Sequence, residues 1–154
     1  MRIKKNILFA FILSFILIAT LSCKKEQAPL ELAKDYLFVA DVQQYCQGNC
    51  DETSDWENQS ILTKGHVMGI ENDSLMQDYF DNDLFYLKDI RNGVFIEIRI
   101  KGDKAGIFNK LSGGQKTDML LLKGKAEAVT ASSGQDCTKG VVIGLFTAND
   151  IWFE

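Results

Sequence analysis

The sequence predicts a mainly β domain, and three features of its central part carry that prediction. From Val94 to Lys101 apolar and polar residues alternate, which is the period of a strand with one buried face. A second apolar run extends from Leu84 to Ile90. Between the two runs lies Asn92-Gly93, a pair that favours a tight hairpin turn. The two runs are therefore predicted to be antiparallel neighbours.

The segments before this hairpin are predicted to be a short helix and a strand. Glu31 to Tyr45 carries apolar residues at helical spacing, although Tyr36 to Val39 fits a strand equally well. Thr63 to Ile70 alternates, with Lys64, His66 and Met68 on one side, and is predicted to be the first strand of the barrel.

The segments after the hairpin complete the predicted β architecture. Ala105 to Leu111 predicts one or two helical turns, and Asp118 to Val129 predicts a long strand that bends at Gly124. Thr130 to Gly140 is rich in Ser, Gly and Asp and predicts a loop. Val141 to Phe153 predicts one final strand. This order of elements is that of a five-stranded Greek-key OB-type barrel with a short N-terminal helix.

Four stretches and one glycine also resemble a known group of folds: His66 to Gly69, Phe85 to Asp89, Gly93, Ile96 to Ile98, and Leu120 to Ala126. They are similar to strand motifs of small exported OB-fold domains and of the anticodon-binding-like OB group, over about residues 62 to 153. The last strand, Leu145 to Ile151, resembles that of the haem-chaperone OB proteins of cytochrome c maturation. Those proteins need a histidine just afterwards, and this chain continues Trp152-Phe153-Glu154, so the haem role is not implied.

The N-terminus predicts a cleaved signal peptide. Arg2, Lys4 and Lys5 form a positive region, and the apolar run from Ile7 to Leu21 has the length of a signal sequence. A membrane-spanning helix needs about 20 apolar residues, so this run is short for one. Because the polarity breaks at a cysteine, an ordinary secretory peptide is the less favoured alternative.

Thr20-Leu21-Ser22-Cys23 resembles the lipobox of bacterial lipoproteins. The resemblance implies cleavage before Cys23 and acylation of that cysteine with chains such as palmitate, which anchor the protein to a membrane. It divides the chain into a signal peptide (1–22), a lipidated tether (23–29) and one OB-like domain (30–154). The lysines and glutamate after Cys23 resemble the surface-export signals of some Gram-negative lipoproteins. We therefore expect a cell-envelope location, in the outer rather than the inner membrane.

The predicted mature chain is acidic. Cleavage removes three basic residues and leaves 14 basic against 21 acidic ones, a formal net charge of −7. This balance disfavours general nucleic-acid binding. The acidic stretch from Asp78 to Asp83 lacks the glycine and final glutamate of an EF-hand and predicts an acidic loop.

Three cysteines remain once Cys23 is assigned to lipid: Cys46, Cys50 and Cys137. In an oxidising location they predict one disulfide and one thiol, and the spacing leaves the pairing open. Two alternatives use the same residues. Cys46 and Cys50 could form a thiol redox site, and the three cysteines with His66 could hold zinc, although the paired spacing of a zinc site is missing.

A candidate ligand-binding face follows by analogy with OB folds, which bind ligands on their second and third strands and adjoining loops. Here that face contains aromatic and basic residues: Tyr86, Lys88, Phe95, Arg99 and Lys101, flanked by Tyr79 and Phe80. Such a mixture suits an anionic, oligosaccharide or protein ligand, unless the aromatics only cover the barrel.

The function predicted from these features is a noncatalytic binding or interaction module of the cell envelope. No nucleophile elbow or phosphate-binding glycine loop occurs. We therefore expect no catalytic residue, no cofactor and no metal. The alternatives are a structural envelope protein without a ligand, and the redox or metal-handling protein described above.

Overall fold

The computed structural model describes residues 35–50, 53–133 and 136–154. The predicted signal peptide, Cys23 and the lipidated tether lie outside these residues, as does the predicted start of the domain at Leu30. None of the helices within the described ranges is long and apolar enough to cross a membrane.

The described part of the chain forms one eight-stranded sheet with three α-helices and one 3-10 turn. In chain order these are β1 (Leu37–Phe38), α1 (Val39–Tyr45), β2 (Gly48–Asn49), β3 (Ser60–Val67), α2 (Asp73–Asp81), β4 (Leu84–Lys88), β5 (Phe95–Ile100), α3 (Lys104–Leu111), β6 (Leu120–Ser133), β7 (Asp136–Leu145), the 3-10 turn (Ala148–Asp150) and β8 (Ile151–Phe153).

Five of the strands close into a ring in the order β3, β4, β5, β7 and β6, with β6 pairing back to β3. Neighbours in the ring are antiparallel except β5 and β7, which are parallel. With α3 joining β5 to β6, this is an OB-like barrel. The predicted mainly β barrel is therefore confirmed, and five strands close its ring, but the sheet as a whole has eight strands in place of the five predicted. Short strands β1, β2 and β8 extend the sheet because they pair with β3, β7 and β6.

The core fills the ring because each strand sends alternate side chains inward. In β5 the isoleucines Ile96, Ile98 and Ile100 are buried, while the residues between them face outward, as predicted. Helix α3 adds Ile107 and Leu111 to the same core. The largest side chains that are fully buried are Phe85, Ile61, Leu87, Ile96, Ile98, Ile107, Leu111, Leu120, Leu122, Ile143, Leu145 and Ile151.

Residues 37–50, comprising β1, α1 and β2, form an N-terminal strap against the barrel. Leu37 pairs with Thr63 of β3, and Gly48 pairs with Lys139 of β7. Between these ends, α1 buries Val39 and Val42 and contacts β3, β5 and β7. The sequence left helix and strand open for this segment, and the structure contains both. A two-residue strand precedes a helix that is shorter than predicted.

Two sets of interactions hold the strap to the barrel: hydrogen bonds at one end and a disulfide at the other. The carboxylate of Asp89 is fully buried and accepts hydrogen bonds from the backbone N–H of Ala40 (3.0 Å) and of Arg91 (2.8 Å). The Arg91 guanidinium donates to Asp89 (2.9 Å) and Asp41 (3.0 Å), and its bond to Asp89 is the main cause that lowers the pKa of that carboxyl to about 2. At the other end a disulfide joins Cys50 to Cys137, which are 87 residues apart in sequence.

The acidic loop predicted around Asp78 is wrong, because most of this segment belongs to helix α2. Asn72 caps the helix by accepting a hydrogen bond from the backbone N–H of Leu75 at 3.1 Å. Tyr79 anchors it, since the tyrosine is only 5% exposed. The many acidic residues of the segment lie on the solvent side and conceal the helical pattern in the sequence.

The predicted loop from Thr130 to Gly140 is also wrong. Strands β6 and β7 continue through it as a hairpin, with Thr130 opposite Lys139 and Ser133 opposite Asp136. The polar composition of this segment is typical of a loop, but hydrogen bonding between the two backbones holds it in an extended strand conformation. The disulfide at Cys137 holds this arm against the strap.

The single final strand predicted from Val141 to Phe153 is in fact two strands. Strand β7 ends at Leu145, where it pairs in parallel with Ile100 of β5. The chain then turns through Ala148–Asp150 and returns to β6 as β8, with Ile151 opposite Leu122. The break occurs because β7 crosses from β6 to β5 in order to close the ring.

Candidate ligand-binding face

The outer face is the solvent side of β4 and β5, and it carries Tyr86, Lys88, Phe95, Glu97 and Arg99. Strand register sets its layout, since Lys88 lies opposite Phe95 and Tyr86 lies opposite Glu97. Side chains at directly opposed positions have Cβ atoms about 4.5–5.5 Å apart. The predicted residues Tyr86, Lys88, Phe95 and Arg99 are therefore brought together on one surface.

Three of the predicted aromatic residues form a continuous aromatic row: Tyr79, Tyr86 and Phe95. The ring centroids of Tyr79 and Tyr86 are 5.7 Å apart, as are those of Tyr86 and Phe95, and both pairs meet edge to face. Tyr79 lies in α2 and is buried, whereas Phe95 is 53% exposed. The row thus runs from a buried anchor to an exposed ring, and the contacts hold that ring in a defined orientation.

Polar groups surround the middle of the row. Burial raises the pKa of Tyr86, and its interactions with Glu97 add to that effect. Glu97 also accepts a hydrogen bond from the Nε of Arg99 at 2.6 Å. Sequence analysis missed Glu97 as a member of the face, although its alternation with Phe95 and Arg99 would have placed it there.

The basic residues predicted on this face differ in their pairing. Arg99 pairs with Glu97, and the ammonium of Lys101 lies 3.2 Å from a carboxylate oxygen of Glu127 on β6. Lys88 is exposed and has no ion pair with any residue in the described ranges. Of the three predicted cations, Lys88 is therefore the one whose charge is available to a ligand.

Phe80 lies apart from the aromatic row. Its ring packs edge to face on Phe108 of α3, with centroids 4.9 Å apart, and the ammonium of Lys104 lies 4.4 Å from its centroid. Although Tyr79 and Phe80 are adjacent in sequence, their side chains pack against different elements. Only Tyr79 supports the outer face.

The cysteines do not form the redox pair that the sequence left open as an alternative. Cys50 is bonded to Cys137, and Cys46 is a buried free thiol. Burial raises the pKa of the Cys46 thiol to about 12, so almost no thiolate is present at neutral pH. Within the described ranges no group of three His, Cys, Asp or Glu residues is placed to hold a metal ion.

Of three comparisons with known proteins, only the one with solved structures found matches. No protein-family model matches the chain, and no curated protein matches it. Among solved structures it is similar to the OBody NL8 bound to hen egg-white lysozyme, at 17% identity and a TM-score of 0.41, over 62% of this chain and 92% of that one. It is similar also to the OBody AM3L09 bound to the same lysozyme, at 17% identity and a TM-score of 0.41, over 67% and 88%.

Proposed function

We propose that the protein is a lipid-anchored, noncatalytic binding module of the cell envelope, and that its outer face binds a sugar-like ligand. The observation that carries the proposal is the aromatic row. Phe95 is 53% exposed, yet it is held edge to face by Tyr86, which is held in turn by Tyr79. A preoriented aromatic ring loses little conformational entropy when a ligand stacks on it.

The polar groups around the row favour a sugar over a strongly anionic polymer. Glu97 and Arg99 supply an acceptor and donors beside the Phe95 ring, as the hydroxyls of a pyranose require. The same ion pair neutralises Arg99, and Lys101 is neutralised by Glu127. With a predicted mature charge of −7, the protein lacks the broad positive field of a nucleic-acid binder.

Binding is tested with the whole protein, purified in detergent as the host processes it, against a panel of neutral and acidic pyranose oligosaccharides. Phe95→Ala should weaken binding at least about tenfold, which corresponds to about 1.4 kcal/mol. Phe146→Ala is the matched control, because Phe146 is 44% exposed but lies beyond the end of β7. If no member of the panel binds, or if both variants bind like the wild type, the proposed function is wrong.

The lipid anchor is tested independently of the ligand. Mass spectrometry of membrane fractions should find a mature N-terminus at an acylated Cys23. Cys23→Ala removes the residue that is predicted to carry the acyl chains. Because two or three chains are needed for stable attachment, this variant should be released or mislocalised. Recovery of the wild type as an unlipidated soluble chain would contradict the anchor and leave the binding proposal standing.

A structural envelope protein without a ligand remains the second candidate. Under that alternative, the aromatic row would stabilise the packing of α2 on β4. Phe95→Ala would then lower stability without affecting any binding measurement. The same pair of Phe variants therefore separates the two candidates.

A further inference from the structure

A groove of about 910 Å³ lies next to the outer face. It is bounded by the end of β3 and the residues after it, by the turn between β4 and β5, and by the segment before β6. Its polar lining includes the basic residues His66, Lys88, Arg91 and Lys116 and the carboxylates of Glu71 and Asp89, and Met68 and Ile90 supply apolar surface. Ile90 is 54% exposed. The groove therefore offers both cationic and apolar contacts to a ligand.

A line of outward side chains crosses three strands and connects the groove to Phe95, the exposed end of the aromatic row. His66 of β3 lies opposite Lys88 of β4, and Lys88 lies opposite Phe95 of β5. The flanking residues Val67, Leu87 and Ile96 are buried. Since successive side chains in a strand point to opposite sides, His66, Lys88 and Phe95 all point outward. A ligand on the Phe95 ring thus reaches Lys88 at the next strand and His66 at the one after.

Lys88 carries the available charge of the groove. Arg91 is held by Asp89 and Asp41, and Lys116 is held 2.8 Å from Glu71. Lys88 pairs with no carboxylate in the described part of the chain. An anionic group on a ligand can therefore approach Lys88 without displacing an existing ion pair.

His66 adds a hydrogen-bond donor beside it. The Nδ1 atom of His66 is buried and has no hydrogen-bond partner within the described ranges. An N–H buried without an acceptor is costly, so the side-chain N–H of His66 is best placed on Nε2. In that form Nε2 is the nitrogen that can donate to a ligand.

From this geometry we propose that the groove is a subsite for an anionic group, and that the ligand of the outer face is an acidic sugar. The sugar ring stacks on Phe95, and its acidic group binds Lys88 and the Nε2–H of His66. This inference rests on the proposed function, because it assigns the class of ligand to the same face.

The experiment compares matched ligands on the whole protein in detergent. Pyranose uronate oligosaccharides are measured beside their methyl esters, which keep the rings and lose the charge. Sulfated oligosaccharides form a third arm, which distinguishes carboxylate from sulfate as the source of the charge. The wild type should bind the uronates about tenfold more tightly than their methyl esters, or the sulfated oligosaccharides about tenfold more tightly than the same oligosaccharides without sulfate. Added salt should reduce this preference.

Variants assign the preference to residues. Lys88→Met keeps the length of the side chain and should bring the ratio of acid to ester affinity close to one. Lys123→Met is the matched control, because Lys123 is also an exposed strand lysine but lies on β6 away from the groove. His66→Phe should reduce the preference in part, and His66→Gln should restore some of it by supplying a donor.

The outcomes separate this inference from the proposed function. If esters and acids bind equally, and Phe95→Ala still abolishes binding, the anionic subsite is overturned and the binding face remains. If Lys88→Met and Lys123→Met reduce the preference equally, the effect is one of general charge and the subsite is also overturned. If no oligosaccharide binds at all, both proposals fail.

Discussion

The N-terminal strap and the outer face differ in how completely their polar groups are paired. The strap is held at one end by the buried carboxylate of Asp89, a barrel residue bonded to Ala40 and Arg91, and at the other end by the disulfide between Cys50 and Cys137. On the outer face, by contrast, Phe95 and Lys88 remain exposed, and Lys88 has no ion pair in the described ranges. The contacts of the strap therefore serve stability, whereas the outer face retains groups that a ligand could use.

The largest effects on stability are expected from the inner sides of β4 and β5, the two strands that also carry the outer face. Ile98 is fully buried, so Ile98→Ala should lower the free energy of unfolding by about 2–5 kcal/mol. Arg99→Ala, one residue further on, should change it by less than about 1 kcal/mol, because its ion pair with Glu97 is partly exposed. Urea denaturation measures both. The reverse ranking would mean that the register of β5 is shifted by one residue.

The disulfide is expected to have the next largest effect. Cys50→Ser should lower the free energy of unfolding by about 2–4 kcal/mol, because the bond closes a long loop and restricts the unfolded chain. Peptide mapping without reduction should recover Cys50 joined to Cys137, and Cys46→Ala should leave that cross-link intact. A map that joined Cys46 to either of the others would contradict the structure of the strap.

Asp89 should give the strap a dependence on pH. Its folded-state pKa is lowered from 3.8 to about 2, so the ionised carboxylate stabilises the fold above about pH 4. This contribution, about 2 kcal/mol, should be lost as the pH falls from about 4 to about 2. Asp89→Asn should lower the free energy of unfolding by about that amount at pH 7 and flatten its change between pH 4 and 2. An unchanged pH profile would show that the carboxylate is not linked to folding.

The smallest change in stability is expected on the outer face. Phe95 is 53% exposed, so Phe95→Ala should lower the free energy of unfolding by less than about 1 kcal/mol, while weakening binding about tenfold. Phe85 on the neighbouring strand is fully buried, and Phe85→Ala should cost about 3–5 kcal/mol. Thermal unfolding of the two variants checks the contrast. Similar losses in both would move Phe95 from the binding face to the core.

Helices and loops of polar composition were the least predictable parts of the fold. Helix α2 was predicted as an acidic loop, and its position depends on Tyr79 packing against Tyr86 of a later strand. The hairpin arm of β6 and β7 was predicted as a loop, and it is extended only because the two backbones pair. In both cases contacts between distant residues outweighed local composition.

The sequence alone was enough to assign the buried side of β5 and to place Phe95 and Arg99 on its outer side. Period-two alternation is a local property, so Ile98 and Arg99 could be assigned to opposite sides from the chain alone. The tertiary structure alone decided the partner of Cys50, the burial of Asp89 and the line from His66 through Lys88 to Phe95. Each of these depends on the register between segments distant in sequence, and that register is set when the barrel closes around its core.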